Sequence, residues 1–200
     1  MKRILIQEPI LTKLQKDILV GYLLSDGCLE PYHNSGVARL KVGQSLKQKM
    51  FADWLFEVFR NVTRTPPTIN PKKQGISFNT LNLKQLYVFY RRFYRNKHKI
   101  IPEDIERLLT PLSLSVWFMG DGSVKSRECR GRILNTHCFT ETEVTKLCQV
   151  LIDKFSLISN IRKQKDGLQV YISAKSAEAL IKLIRPHLLP YFYYKLPLTS

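Results

Sequence analysis

Acidic residues are scarce in this chain. Its 200 residues hold 16 Asp and Glu against 32 Lys and Arg, a formal charge of +16 at neutral pH. Such an excess draws polyanions over distance and releases their counterions where Lys and Arg line phosphates. A membrane surface is the competing polyanion. However, no stretch comes near the roughly 18–20 apolar residues of a spanning helix, and no long basic amphipathic helix stands out. Zinc-binding patterns are missing too. Cys28, Cys129, Cys138 and Cys148 form no CxxC pair, and no His stands at zinc-finger spacing. They read as reduced structural thiols of an intracellular protein. The segment from Met1 to Pro9 lacks the apolar core of a signal peptide and the Arg/Ser bias of an organelle transit peptide. The protein is therefore expected to act in the compartment where it is made. The apolar fraction, 44%, is enough for one large folded domain or two small ones.

What the chain does have is a duplication. Leu19-Val-Gly-Tyr-Leu-Leu-Ser-Asp26-Gly27 and Leu114-Ser-Val-Trp-Phe-Met-Gly-Asp121-Gly122 stand 95 residues apart. Each is an apolar run with a small residue before a closing Asp-Gly. Around the first copy, Leu14, Ile18, Leu19, Tyr22 and Leu23 give a largely buried helix over 12–25, which Gly27 is expected to stop in the left-handed conformation. Extended segments follow at 28–33 and 37–45, about the turn His33-Asn34-Ser35-Gly36. Met50, Phe51, Trp54, Leu55, Val58 and Phe59 then repeat at helical spacing over 47–61. A hairpin of 68–70 and 76–80 turns on Lys72-Lys73-Gln74-Gly75. A helix over 83–94 leads to a loop at Lys97-His98-Lys99.

The second half repeats the order. A helix over 114–120 precedes strands at 123–126 and 132–139. Thr140, with Glu143 three residues on, reads as a capping box for a helix that buries Val144, Leu147, Cys148, Leu151 and Ile152. A hairpin of 160–164 and 168–173 turns on Lys165-Asp166-Gly167, and a last helix covers 174–184. Other landmarks keep the register: Lys99 before Ile-Ile-Pro matches Lys195 before Leu-Pro, and Val42-Gly43-Gln44 matches Asn135-Thr136-His137. The fold class is therefore α+β. Two pseudo-symmetric αββαββα repeats, residues 1–105 and 106–200, are expected, each with two hairpins, and with Thr110-Pro111 near the linker.

Gly21 and Ser25 share a helix face and permit close approach of a second helix. In the second copy Ser115 and Gly120 are small, and Val116 stands where the first has Gly21. Parallel packing of the two helices would bring Asp26 and Asp121 together. Carboxylates roughly 5 Å apart repel by about 3 kcal/mol at an effective dielectric near 20, so one is protonated or a cation sits between them. All-oxygen, water-rich ligation favours magnesium over zinc, an ion suited to phosphodiester hydrolysis. As a matched pair Lys99 and Lys195 could flank such a centre and stabilise phosphorane charge or polarise water, and Gln44 and His137 are a similar pair able to orient water. The hairpins carry Arg39 and Lys41, Lys72 and Lys73, Arg130 and Arg132, and Arg162, Lys163 and Lys165. Period-two alternation would set such residues on one basic sheet surface that lies along a DNA groove.

From Lys16 to Pro197 these residues resemble the LAGLIDADG homing endonucleases in their single-chain, two-repeat, intron-encoded form. Both nonapeptides carry the resemblance, as do Asn135-Thr136-His137 and Tyr194-Lys195-Leu196-Pro197. It implies a monomer with an internal pseudo-twofold axis and the motif helices at its interface, and it joins the two hairpins of each repeat into a four-stranded antiparallel sheet. It implies Mg2+ (Mn2+ as a substitute, Ca2+ binding without turnover) at Asp26 and Asp121 and at the backbone carbonyls of Ser25 and Gly120. Lys99, Lys195, Gln44 and His137 would be peripheral catalytic residues. The substrate implied is an asymmetric DNA duplex of roughly twenty base pairs, about two helical turns, read by the sheets and cut on both strands. Val116 and His137 depart from the family's usual Gly and Gln. An organelle-encoded protein of a mitochondrion or chloroplast, promoting intron mobility, is the expected setting. The rival expectation is a maturase that binds intron RNA on the same fold.

Overall fold

The computed structural model describes residues 8–33, 35–126 and 129–196. Asn34 of the expected turn, Pro197 of the second Lys-Leu-Pro segment and the first seven residues lie outside them. The first repeat runs α1 (Lys13–Leu24), β1 (Cys28–Pro31), β2 (Ala38–Ser45), α2 (Lys49–Val58), β3 (Thr68–Asn70), β4 (Gly75–Asn79) and α3 (Lys84–Phe93). A short hairpin, β5 (Tyr94–Arg95) and β6 (His98–Lys99), and a one-turn helix α4 (Ile105–Leu108) follow. The second repeat is α5 (Pro111–Asp121), β7 (Gly122–Val124), β8 (Arg132–Asn135), α6 (Glu141–Phe155), β9 (Ser159–Gln164), β10 (Gly167–Ile172) and α7 (Ala177–Ile184). The strand orders are the same, β1-β2-β4-β3 and β7-β8-β10-β9, and every pairing is antiparallel. The expected double αββαββα pattern is therefore present.

By packing, the chain divides into two compact units, residues 1–16 with 27–91 and residues 17–26 with 92–200. In the first, Ala38, Leu40 and Val42 of β2 and Ile76 and Phe78 of β4 point inward. Phe51, Ala52 and Leu55 of α2 cover them. Met50, counted into that apolar face, is instead exposed in the first turn of α2. Arg39, Lys41 and Gly43 alternate onto the other face of the sheet.

In the second unit, α6 covers β9 and β10. Thr140 caps it as expected: its Oγ1 accepts from the Glu143 N–H at 3.4 Å, and its own N–H donates to Glu143 Oε2 at 2.8 Å. Val144, Leu147, Cys148 and Leu151 form the buried stripe with Val150, whereas Ile152 lies at the stripe's edge and is exposed. Helix α5 is buried from Ser113 through Met119 on every side, the pattern of a central helix. Thr110-Pro111, expected near the linker, is its start. Ser113 N–H donates to Thr110 Oγ1, Thr110 N–H donates to Ser113 Oγ, and Pro111 occupies the first helical position.

Two local expectations are corrected. Among the described residues the glycines in the left-handed region are Gly36 and Gly167, so the Asp-Gly pairs end their helices without that conformation. Gly122 is extended (φ −79, ψ 144), and what it supplies is room: a Cβ there would meet the Phe118 ring at 2.3 Å and the Phe118 carbonyl oxygen at 2.4 Å. The expected loop at Lys97-His98-Lys99 is the β5–β6 hairpin. Its two-residue turn, Asn96 (φ 49) and Lys97 (φ 65), has the doubly positive φ of a tight hairpin.

Candidate active site and nucleic-acid faces

The segment 17–24 of α1 runs parallel to α5 inside the second unit, with Gly21 beside Ser113 and Val116 and Ser25 beside Gly120. Parallel helices end together, so their exposed carbonyls, the negative ends of both dipoles, converge. A Cβ on Gly21 would stand 2.1 Å from the Ser113 carbonyl oxygen, and one on Gly120 would stand 2.6 Å from Ser25 Oγ and 3.6 Å from Asp26 Oδ2. Small residues at these positions are thus what brings the Asp26 carboxylate up to the end of α5.

Two ammonium groups close on these helix ends. Lys99 Nζ donates to the Ser25 carbonyl at 3.0 Å. Lys195 Nζ donates to the Met119 carbonyl at 2.7 Å and to the Gly120 carbonyl at 3.2 Å. Each arrives on an ordered support. The β5–β6 hairpin carries Lys99, and the next residues are pinned by Ile100 N–H to the Phe93 carbonyl (2.8 Å) and Ile101 N–H to Glu143 Oε1 (2.9 Å). Glu143 therefore caps α6 and anchors the Lys99 segment at once. Lys195 ends a 3₁₀ stretch from Pro190, stacked over the Phe192 ring at 5.3 Å.

The electrostatics follow from burial and charge. Burial first, then the neighbouring Asp26 charge, push the Asp121 pKa up to about 7, with Lys99 and Lys195 pulling it down. Burial lowers the Lys195 pKa to about 8 against the pull of Asp121 and Asp26. Two close carboxylates, one holding its proton to near neutrality, form a site whose charge a cation would complete. Among the described residues no cluster of three or more His, Cys, Asp or Glu is placed to hold a metal. The donor set here is two carboxylates with backbone carbonyls, hard oxygens that fit Mg2+ with water and phosphate in the remaining positions.

His137 is exposed two residues after β8, where Gln169 Nε2 lies 3.4 Å from its Nε2. Gln44 belongs to the first unit and alternates along β2 with Leu40 and Val42, on the parity of the inward face. Cys138, expected to be a structural thiol, stands instead near the site. Its thiol lies within the electrostatic reach of Lys99, Asp121 and Glu143, and burial pushes its pKa up. Of the four cysteines Cys148 is buried as a structural thiol should be, whereas Cys28 and Cys138 are exposed.

The expected basic surface divides. Arg39 and Lys41 lie on the outward face of β2, where Arg39 Nε donates to Glu30 at 2.7 Å and Lys41 donates to the same carboxylate at 3.3 Å. Lys72 and Lys73 are exposed in the β3–β4 turn, where Gln74 rather than Gly75 takes positive φ (47). Arg130 and Lys165 are exposed in their loops. Arg162 is half-exposed on the outward face of its sheet, with Nη1 on Gln169 Oε1 at 3.1 Å. Lys163, next in sequence, points to the opposite face and pairs with Glu141 of α6 at 3.2 Å. It therefore cannot share a surface with Arg162. Arg132 departs furthest. Its side chain is fully buried, with Nη1 donating to the Arg130 and Gly131 carbonyls and no partner for Nε and Nη2 among the described residues. Its cross-strand partner Ile172 is buried, as are Leu134 and Leu134's partner Val170, which sets Arg132 on the core side of the sheet. Gln169 and Asn135 stand on that face instead, joined by a 2.7 Å hydrogen bond. That placement follows from the register, in which Gln169 pairs with Asn135 on one side and Arg162 on the other.

Comparison with known proteins agrees with this geometry. The chain is 28% identical over 199 residues to the cytochrome b mRNA maturase bI2 of Debaryomyces hansenii, covering 93% of this chain and 74% of that protein. It is 27% identical over 198 residues to the probable intron-encoded endonuclease 1 of Wickerhamomyces canadensis, covering 93% and 85%. The solved structure of the homing endonuclease I-WcaI bound to its DNA recognition sequence superposes with a TM-score of 0.88 at 27% identity, covering 97% of this chain and 90% of that one. Residues 16–180 match the model of the LAGLIDADG DNA endonuclease family, and the chain belongs to that family.

Proposed function

We propose that this chain is a site-specific DNA endonuclease that acts as a monomer on a long asymmetric duplex and cuts both strands with Mg2+. The observation that carries the reading is the convergence of Asp26 and Asp121 on paired helix ends, with Lys99 and Lys195 closing on the adjoining carbonyls. Family membership supports metal-dependent hydrolysis in general. Asp26 and Asp121, with the carbonyl oxygens of Ser25 and Gly120, would hold the ion. Bound there, it supplies Lewis-acid stabilisation of the phosphate and a more acidic water. Mn2+ would substitute, and Ca2+ would bind without turnover.

The chain's own residues do the rest. Lys99 and Lys195 place positive charge where the phosphorane gathers negative charge. His137 and Gln44 orient water, one in each repeat. The outward faces of the two sheets, with Arg39, Lys41 and Arg162, read base edges, and Lys72, Lys73, Arg130 and Lys165 hold phosphates. The +16 charge supports the same partner. The repeats, 1–105 and 106–200, are the units of that pseudo-symmetric reading. Similarity to intron-encoded endonucleases and to mRNA maturases supports an organellar, intron-homing setting.

The second reading, intron RNA binding in splicing, is favoured by the maturase relative. Selection of cut sites from a randomised plasmid library, with Mg2+ against Ca2+ or EDTA, separates the two. Site-specific double-strand breaks in Mg2+ alone support the endonuclease. Binding to intron RNA with no DNA cut supports the maturase.

A further inference from the structure

We propose that Gln169 is a positioning residue that holds His137 as its Nδ1–H tautomer, an inference that rests on the reading of His137 as a water-orienting group. Three consecutive residues of the β9–β10 hairpin form the seat. At Gly167 (φ +133) even a Cβ would stand 3.1 Å from the His137 Cα and Cβ, so the backbone there passes close under the histidine. The Leu168 carbonyl accepts from Thr136 N–H at 3.2 Å and from Thr136 Oγ1 at 2.8 Å, which fixes the chain just before His137. Gln169 then faces the ring.

The chemistry of the row decides which proton the ring carries. Arg162 has donors and no acceptor. Its Nη1 lies 3.1 Å from the Gln169 amide, so the atom there is the oxygen. The other amide atom is therefore the NH2. One of its hydrogens goes to Asn135 Oδ1 at 2.7 Å, and the second is left for His137 Nε2 at 3.4 Å, the longest contact of the three. An amide NH2 does not accept, so the ring nitrogen facing it offers its lone pair. The neutral imidazole then carries its proton on Nδ1. A proton on Nε2 would set two donors against each other. Arg162, Gln169 and Asn135 are cross-strand partners in one register, so the orientation passes along the sheet from β9 to β8. His137 held this way acts through Nδ1 as a hydrogen-bond donor toward water or a phosphate oxygen.

The test is the tautomer of His137, read from imidazole 15N shifts of the full chain under conditions where the ring is neutral. The His137 signal is assigned by its loss in His137→Gln. The expected wild-type state is Nδ1–H. In Gln169→Glu the carboxylate keeps Arg162 and presents an acceptor to the ring, so the tautomer inverts to Nε2–H. Gln169→Leu removes both preferences and yields a mixture. In single-turnover cleavage Gln169→Leu slows one strand by about tenfold, the lower end of what losing an outer-shell partner costs, and leaves the other strand unchanged. A wild-type Nε2–H ring, or a tautomer that ignores Gln169→Glu, overturns the proposal. If the tautomer inverts as expected but His137→Ala cuts both strands at the wild-type rate, the positioning stands and the catalytic reading of His137 falls.

Discussion

Gly120 and Ser25 touch so closely that a single added carbon on Gly120 would lie 2.6 Å from Ser25 Oγ and 2.7 Å from its Cβ. Gly21 is tighter still, since its nearest neighbour is the backbone oxygen of Ser113 at 2.1 Å. Turning the serine moves its Oγ but not its Cβ, so the backbone must shift in both variants, and further where a helix carbonyl stands at 2.1 Å. Gly21→Ala is therefore expected to cost about 3 kcal/mol, and Gly120→Ala about 1–2 kcal/mol, within the range of overpacked interiors. Urea unfolding of the two variants checks the order as well as the size.

The raised pKa of Asp121 makes the metal-free protein sensitive to pH. Unfolded, this carboxyl gives up its proton near 3.8, and folded it holds it to about 7. Between those values the folded chain binds more protons than the unfolded one, so stability falls as pH rises. In EDTA the melting temperature of wild type is expected to drop by about 3 °C or more across this window relative to Asp121→Asn, and Mg2+ is expected to restore it. Thermal melts with and without the ion measure both effects.

Lys195 contacts carbonyls of the helix that bears Asp121, and Lys99 contacts the carbonyl of Ser25 beside Asp26. Replacement by Met keeps the aliphatic bulk and removes the charge. Each variant is expected to lose about 10²–10³ in single-turnover rate, unequally on the two strands, with target affinity retained. Strand-resolved nicking gels report this directly.

Arg132 and Arg39 separate packing from readout. Two guanidinium nitrogens of Arg132 are buried without a partner among the described residues, and an apolar residue there removes the cost of burying them unpaired. Arg132→Met is expected to keep or raise the melting temperature and leave the preferred cut site unchanged. Arg39→Ala, on the outward face of β2, is expected to relax preference at particular base pairs by about 1–3 kcal/mol. A cleavage survey of single-base target variants distinguishes them.

The helices, hairpins and paired motifs were legible because each is written locally. Apolar period, capping pairs such as Thr140 with Glu143, and the Asp-Gly ends all lie within a few residues. What the sequence could not carry was direction. Arg132 and Lys163 are as basic as Arg39, and only strand register decides that they face inward or toward α6. Gly122 closes the second motif in the sequence, and its role depends on the Phe118 ring folded back against it. Gln169 carried no motif signal, because its partners Arg162, Asn135 and His137 meet only once β8, β9 and β10 pair.

The composite centre formed by Asp26 and Asp121 is tested most directly by cutting of a plasmid that carries the selected target. Wild type, Asp26→Asn and Asp121→Asn proteins are compared in Mg2+, with DNA binding measured in parallel in Ca2+. The expected result is that wild type linearises the plasmid while each variant binds the target and makes no double-strand break. Linearisation at the wild-type rate by either variant would contradict the assignment.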